Sequence, residues 1–484
     1  MSIPRLASAV LVLAACGGAQ PQPGGAPMNR VPPPAPVLPI PTDRQMAWQE
    51  KELIAFAHFG VNTFTDREWG DGKEDPTIFN PTALDCRQWV RACKAAGMKT
   101  IILTAKHHDG FCLWPSPRTA HSVKSSPWKG GKGDVLRELA DACRAAKIDL
   151  GLYLSPWDRH EPSYGDSPAY NAHYVGQLTE ILTSYGPIAE VWFDGACGEG
   201  PNGKKQVYDF DLFWGTVRRL QPMAVMFSDV GPDVRWVGNE RGYAKDPNWS
   251  TLNTAGMHIG KPNKNQTTGD LDGAAWVPAE ADVSIRPGWF YHAQEDDKVK
   301  SLEQLLDIYY NSVGLGCVLL LNIPPDRRGL FHENDVRRLE EFGAAIAADF
   351  RKDLARGRKA AADNVRGGDA AYGAERAVDG DPATYWATDD AVRAAALQID
   401  LGRPQAFNRI VLQEFIRLGQ RVKAFTVEAW VGGGWQEIAK GQTIGYKRIL
   451  RIPDTTAQKI QVTIRDARGC PTLSTVGVYC AEKR

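Results

Sequence analysis

Residues 83–111 read ALDCRQWVRACKAAGMKTIILTAKHHDGF. In the first half, Cys86, Trp89, Val90 and Cys93 recur at three- and four-residue spacing, the period of a helix with one apolar stripe. Gly97 ends that pattern, and an apolar run starting at Thr100 follows at once and reads as a strand. One helix handing directly to one strand is the unit from which α/β folds are built.

The unit recurs on both sides. Residues 48–64, WQEKELIAFAHFGVNTF, predict a helix start and then a strand over about 53–64. The helix of 133–148 precedes the strand DLGLYLSPWD at 149–158, and that of 169–186 precedes EVWFDGA at 190–196. FDLFWGTVRRLQP (210–222) precedes MAVMFSD (223–229), and SLEQLLDIYYNSVGLG (301–316) precedes CVLLLNIPPD (317–326). Strand and helix thus alternate over residues 43–347, the length of a TIM-like barrel with insertions. An open doubly wound sheet is the alternative, but no Gly-x-Gly-x-x-Gly fingerprint follows the first strand. Polar residues gather at the strand ends: His58, KHHD, SPWD, FD and NE. In a barrel these face one mouth.

Beyond about residue 360 the helical period vanishes. Residues 396–416, 422–441 and 458–467 alternate with period two between glycine turns, a β-sandwich pattern. The 484 residues therefore divide into a catalytic-sized barrel at 43–350 and a sandwich at 360–484. The N-terminus is neither. MSIPRLASAVLVLAACGG has Arg5, an apolar run from Leu6 to Leu13, and small residues before Cys16. LAAC is similar to a bacterial lipobox, which makes residues 1–16 a lipoprotein signal peptide with Cys16 lipidated; an ordinary cleaved signal is the alternative. The Pro/Gly-rich residues 17–42 read as an extended tether. Export follows, to the outer membrane or periplasm as a lipoprotein, otherwise to the periplasm or medium.

Lys+Arg and Asp+Glu both number 57, and the zero net charge argues against a nucleic-acid polyanion as main partner. Membrane contact is expected only through the lipid anchor. Fifteen tryptophans suit flat sugar faces or a large core. No Cys-x-x-Cys pair argues for zinc among Cys86, Cys93, Cys112, Cys143, Cys197, Cys317, Cys470 and Cys480. Cys470 and Cys480 are a candidate disulfide.

The stretch GPIAEVWFDGACGEG (186–200) ends a strand on one carboxylate. Alternation sends Trp192 and Asp194 one way, Val191 and Phe193 the other, so Asp194 reaches the barrel mouth with Trp192 beside it. Gly195 permits a close approach, although an Asx turn explains the same pattern. A second carboxylate is available in GPDVRWVGNERGYA, as Asp233 or as Glu240 next to Arg241. Two carboxyl groups flanking one bond are what glycoside hydrolysis requires. His107, His108 and Asp109 could suggest a metal, but neighbours on a strand point apart, and imidazoles bonding sugar hydroxyls fit better. His58 and the pair Glu68–Trp69 have the same reading.

FAHFGVNTF, EWG, TAKHHDGFCLWPS, YLSPWD, VWFDGA, WVGNE, PGWFYH and LLLNIPPD, in this order over residues 45–345, together resemble the α-L-fucosidases of glycoside hydrolase family 29. The resemblance implies a distorted (β/α)8 barrel and a retaining mechanism with Asp194 as nucleophile. The GNE segment resembles the branch preferring α-1,3/1,4-linked fucose, which implies Glu240 as acid/base. It also implies fucose contacts from His58, His107, His108, Tyr153 and Trp289, with Trp289 and Phe290 walling the C6 methyl. Glu280, Asp282 and Arg286 of EADVSIRPGW are implied near the site. AERAVDGDPATYWAT (374–388) resembles discoidin-like, F5/8 type C, sandwiches, which carry over Asp379, Asp381 and Thr384 as calcium ligands. The late acidic ligand of those domains is missing from LSTVGVY. No cofactor is implied for catalysis. The expected activity is removal of terminal α-L-fucose from glycans; a glycosidase accepting L-galactose and a non-catalytic sugar-binding lipoprotein are the rivals.

Overall fold

The computed structural model describes residues 31–482. The signal segment, Cys16 and most of the expected tether lie outside them. Residues 35–38, within the segment expected as an extended tether, run along the C-terminal domain. The Val37 N–H donates to the Leu418 carbonyl at 2.9 Å, and Arg421 Nη2 donates to that of Ala35 at 2.7 Å. Gly419, at φ +90°, makes this possible, since a Cβ there would stand 1.9 Å from the Val37 carbonyl oxygen.

Eight parallel strands close into one barrel in chain order: β1 Leu53–Ala57, β2 Thr100–Lys106, β3 Asp149–Leu154, β4 Glu190–Trp192, β5 Val225–Ser228, β6 Val234–Trp236, β7 Ala279–Ser284 and β8 Val318–Asn322, which returns to β1. Closure excludes the open sheet. Ile54, Phe56, Ile102, Tyr153, Trp192, Phe227 and Leu320 fill the interior, and Ile101, Leu103, Leu150, Leu152 and Val191 face the surrounding helices. The period-two reading of the strands is this inside–outside alternation.

The helix of the opening quotation spans Cys86–Ala95. Asp85 Oδ1 caps it through the Arg87 N–H at 2.9 Å, and Gly97 leaves it at φ +83°. Its stripe of Cys86, Trp89, Val90 and Cys93 is buried, with Trp89 Nε1 donating to the Gly329 carbonyl. The strand predicted over 53–64 ends at Ala57, and Val61–Thr65 is helical. Side chains replace the ladder there: the His58 N–H donates to Asn322 Oδ1 and the Phe59 N–H to Thr104 Oγ1.

The barrel is distorted where helices are missing. Residues 229–233 join β5 to β6 without one, though a parallel connection ordinarily needs about a dozen residues or more. Asp233 turns the chain back, accepting the Met226 N–H at 2.9 Å and pairing with Arg218 and Arg44. The helix Asp43–Gln49 supplies the missing cover, with Gln45 Nε2 donating to the Asp233 carbonyl at 2.8 Å. Asp233 is thereby excluded from the mouth. The connection from β6 to β7 also lacks an α-helix; it carries a short two-stranded ribbon, Thr251–Leu252 with Ala275–Trp276.

The C-terminal domain is an antiparallel sheet folded around its own core of Trp386, Leu397, Ile410, Phe425, Val427, Ile460, Ile464 and Val476. Two long strands, Ala395–Glu414 and Arg448–Ala467, run through it and change register at Asp400/Gln405 and Phe407/Arg409. Bulges of this kind let one strand serve both layers. Cys470 and Cys480 do not pair: all eight cysteines among the described residues are free thiols, Cys470 buried and Cys480 exposed.

In the turn expected to bind calcium, Asp379 Oδ1 accepts the Asp381 N–H at 2.9 Å and its Oδ2 accepts the Thr384 hydroxyl at 2.7 Å. Asp381 Oδ1 in turn accepts the Ala383 N–H. No group of three or more His, Cys, Asp or Glu among the described residues is placed to hold a metal.

Candidate active site

Asp194 stands just beyond β4, where alternation puts Val191 and Phe193 in the outer core and Trp192 inside the barrel. Asp194 Oδ1 accepts the Ala196 N–H at 2.7 Å, an Asx turn, and Oδ2 accepts the Tyr153 hydroxyl at 3.0 Å. The turn and the pocket position are thus both present, and neither excludes the other. Gly195 is required by a neighbour: a Cβ there would lie 2.5 Å from Asp229 Oδ2 and 2.7 Å from the Gly260 nitrogen.

Three histidines line one side of the pocket, and burial lowers the proton affinity of each. For His58 the pKa is pushed to about 3. Asn322 commits its Nδ2 to Ser284 and to the Trp289 carbonyl, so its Oδ1, 2.8 Å from His58 Nδ1, must accept. Ser155 donates its hydroxyl proton to the Trp157 carbonyl, so its oxygen accepts from His108 Nδ1 at 2.7 Å. In neutral His58 and His108 the proton therefore sits on Nδ1, leaving each Nε2 a bare acceptor. His108 Nε2 is 3.7 Å from Asp194 Oδ2. His107 packs between the His58, His108, Tyr153 and Phe290 rings, its Nδ1 buried without a partner among the described residues.

Glu240 sits on the β6–β7 connection, and its Oε2 accepts Trp289 Nε1 at 3.3 Å. Partial burial raises its pKa, the Trp289 bond opposes this, and the charges of Asp194 and Glu68 add to the rise. Its proton is therefore held more tightly than on a free glutamate. On β7 the acids of EADVSIRPGW, two residues apart, share the inward face at different heights. Glu280 points into the closed barrel, where Trp192 Nε1 donates to its Oε1 at 2.8 Å and Glu190 shares a hydrogen bond with it. Asp282, one layer higher, lines the pocket, accepts Trp236 Nε1 at 2.7 Å, and is pushed to about 8 by burial and then by Glu240.

Arg286 is a correction. It is fully buried away from the pocket, where Asp335 receives its Nε at 2.9 Å, Asp296 its Nη1 at 3.0 Å, and Tyr291 its cation face. Beyond β7 the strand phase no longer holds, so sequence alternation could not place it. Glu68 lines the pocket while its oxygens hold the loop that presents Trp289: Oε2 accepts the Trp289 N–H at 2.8 Å, and Oε1 accepts the Phe290 N–H at 3.1 Å. Trp69 is largely exposed at the rim, edge-on to His108 and Trp157. Phe290 stands behind the histidine rings, while Phe56, in strand phase with His58, joins Trp192 and Trp289 in the apolar wall. Lys106 is buried against Asp158 and Gln177, outside the pocket.

These side chains enclose a cavity of about 180 Å³. At ~30 Å³ per water it has room for roughly six waters, which suits one small ring. It opens into a cleft of about 1080 Å³ lined by Asp229, Lys245, Lys261 and Gln266. Asp194, Glu240 and Asp282 belong to both spaces. The arrangement can hold a monosaccharide beside Asp194, bond its hydroxyls to neutral imidazoles, and leave the rest of a larger molecule in the cleft.

The family model for alpha-L-fucosidase matches residues 43–348, and that for the F5/8 type C domain matches 359–475. Alpha-L-fucosidase 1 of Arabidopsis thaliana is 46% identical over 93% of this chain and 89% of its own length. The crystal structure of SpGH29 is 45% identical, with TM-score 0.89 over 93% of this chain and all of that one. A Ruminococcus gnavus GH29 fucosidase, solved in complex with fucose, is 37% identical with TM-score 0.88, over 94% and 98% of the two chains.

Proposed function

The chain belongs to the α-L-fucosidase family of glycoside hydrolases, and from that premise we propose that it is a retaining, exo-acting enzyme releasing terminal α-1,3/1,4-linked L-fucose. One observation carries the reading: Asp194 and Glu240, from different loops, line the same 180 Å³ cavity at its junction with the wide cleft. The fucose complex of the R. gnavus relative supports a fucose-sized occupant. Asp194, oriented by Tyr153, attacks the anomeric carbon as Glu240 protonates the departing oxygen, and a covalent fucosyl-aspartate forms. Water, its proton taken by Glu240, now a carboxylate, then attacks the anomeric carbon and displaces the Asp194 carboxylate, and α-L-fucose leaves with its configuration retained. His58 and His108 accept sugar hydroxyl protons through Nε2. The linkage preference rests on the GNE segment and on the room beyond Glu240 for a branched aglycone. The same proposal includes export with Cys16 lipidated, supported by the LAAC sequence and checked by palmitate labelling of wild type against Cys16→Ser.

Asp194→Asn is the deciding experiment. Turnover should vanish while fucose still binds, and added azide should restore release as the β-fucosyl azide, because the small anion enters from the vacated face. Near-wild-type turnover in the verified variant would refute the assignment.

A further inference from the structure

The β6–β7 connection, residues 237–278, carries Glu240 without an α-helix of its own, so its shape depends on what it is tied to. Asn239 folds its first turn, Oδ1 accepting the Arg241 N–H at 3.2 Å and Nδ2 donating to the Tyr243 carbonyl at 2.9 Å. That turn rests on the helix Leu302–Ser312 through the Tyr243 hydroxyl to Asp307, 3.0 Å, and the Ala244 N–H to the Asn311 carbonyl, 2.8 Å. The residues that follow are held from the other domain. The Asn248 N–H donates to Thr443 Oγ1 at 2.9 Å, the Asn248 carbonyl accepts Gln420 Nε2 at 3.0 Å, and the Ser250 N–H donates to Gln420 Oε1 at 2.8 Å. Arg448 Nη2 reaches Asp246 at 2.8 Å, and Arg451 binds the second oxygen of Asp307 at 2.8 Å. Gln420 is 0% and Thr443 3% exposed, so water does not stand in for them.

We propose that the sandwich domain acts as a brace for the acid/base: Gln420 and Thr443, assisted by Arg448, are positioning residues that set the loop bearing Glu240 over the leaving oxygen. This rests on the acid/base reading of Glu240. Gln420 supplies the acceptor and donor that a neighbouring strand would give to Asn248 and Ser250, and Thr443 adds the next acceptor. Without the domain these backbone groups lose their partners and the loop loses its register. General-acid catalysis tolerates little displacement, since a shift of about 1 Å can cost ~100-fold.

The test uses the full chain with Gln420→Met and Thr443→Val, each assayed on a fucosylated oligosaccharide and on nitrophenyl α-L-fucoside. A sugar alkoxide needs protonation to depart and a nitrophenolate does not. The expected result is a loss of about 10- to 100-fold in kcat/KM for the oligosaccharide, little change for the nitrophenyl substrate, and recovery in Thr443→Ser. Asp246→Asn, which weakens the loop's tie to Arg448 and to the Gln442 and Thr443 N–H groups that the carboxylate accepts, gives the same signature at smaller amplitude should the buried variants fail to fold. Equal losses on both substrates, or none on either, overturn the brace. Glu240→Ala, measured alongside, separates the two failures. Without leaving-group dependence in that variant, the acid/base reading falls and the brace with it; with it, and with the other variants unaffected, the brace alone falls.

Discussion

The Tyr153 hydroxyl donates to Asp194 Oδ2 across 3.0 Å, from the end of one barrel strand to the end of the next. Burial, and then the charge of Asp194, hold the phenol pKa well above its usual range, so Tyr153 stays a donor throughout the working pH range. The oxygens of Asp194, the proposed nucleophile, are thus pinned by one backbone and one phenolic donor before substrate arrives.

Tyr153→Phe removes that donor and keeps the ring that packs on Phe56 and Trp192. A hydrogen bond to a charged group contributes about 1.5–3 kcal/mol, so kcat should fall roughly 10- to 100-fold with KM and thermal stability little changed. Steady-state kinetics with an aryl fucoside check this, and an unchanged kcat would remove Tyr153 from the mechanism.

Trp289→Phe should move the alkaline limb of the pH profile. In its proposed role Glu240 must be protonated to act as acid, so kcat/KM should fall as pH rises through its raised pKa. The Trp289 N–H stabilises the carboxylate and holds that pKa down. Losing it raises the pKa further, and the limb should shift to higher pH. A shift to lower pH in the measured profile counts against the pairing.

Stability should fall as pH rises, in part because of the barrel interior. Burial raises Glu190 from 4.5 to about 7 and Glu280 well above its usual value, their facing oxygens otherwise without partners. Both folded pKa values exceed the unfolded ones, so this contribution is fully present below about pH 4.5 and is lost as pH rises through 7. The slope is about 1.4 kcal/mol per pH unit for each proton the native state holds more tightly. Melting curves between pH 5 and 8 should flatten in the Glu190→Gln/Glu280→Gln double variant, though not fully, since burial raises Asp109 and Glu414 to about 7 as well.

Arg286→Gln should lower the melting temperature and leave KM for an aryl fucoside unchanged. It leaves Asp335 buried without its cation, and breaking one side of a buried pair costs about 3–5 kcal/mol. A KM effect without a stability loss would return Arg286 to the pocket.

Much of this was legible in the chain. Helix stripes such as Cys86, Trp89, Val90 and Cys93, and inside–outside strands such as 190–194, obey local periodicities, so the barrel, the second domain and the mouthward direction of Asp194 follow from the sequence alone. Local periodicity ends where the strands end. It could not tell that Asp233 turns toward Arg44 and Arg218, or that Arg286 leaves the pocket for Asp335. Nor could it tell that the helix Asp43–Gln49 covers the gap left by the short 229–233 connection, or that Cys470 and Cys480 stay apart. These outcomes depend on which distant group satisfies a buried charge or backbone donor. The pairing of Glu240 with Trp289, and of its loop with Gln420 and Thr443, joins segments up to 195 residues apart in sequence. Such partners are chosen by desolvation and hydrogen-bond geometry in the folded core, which no spacing along the chain encodes.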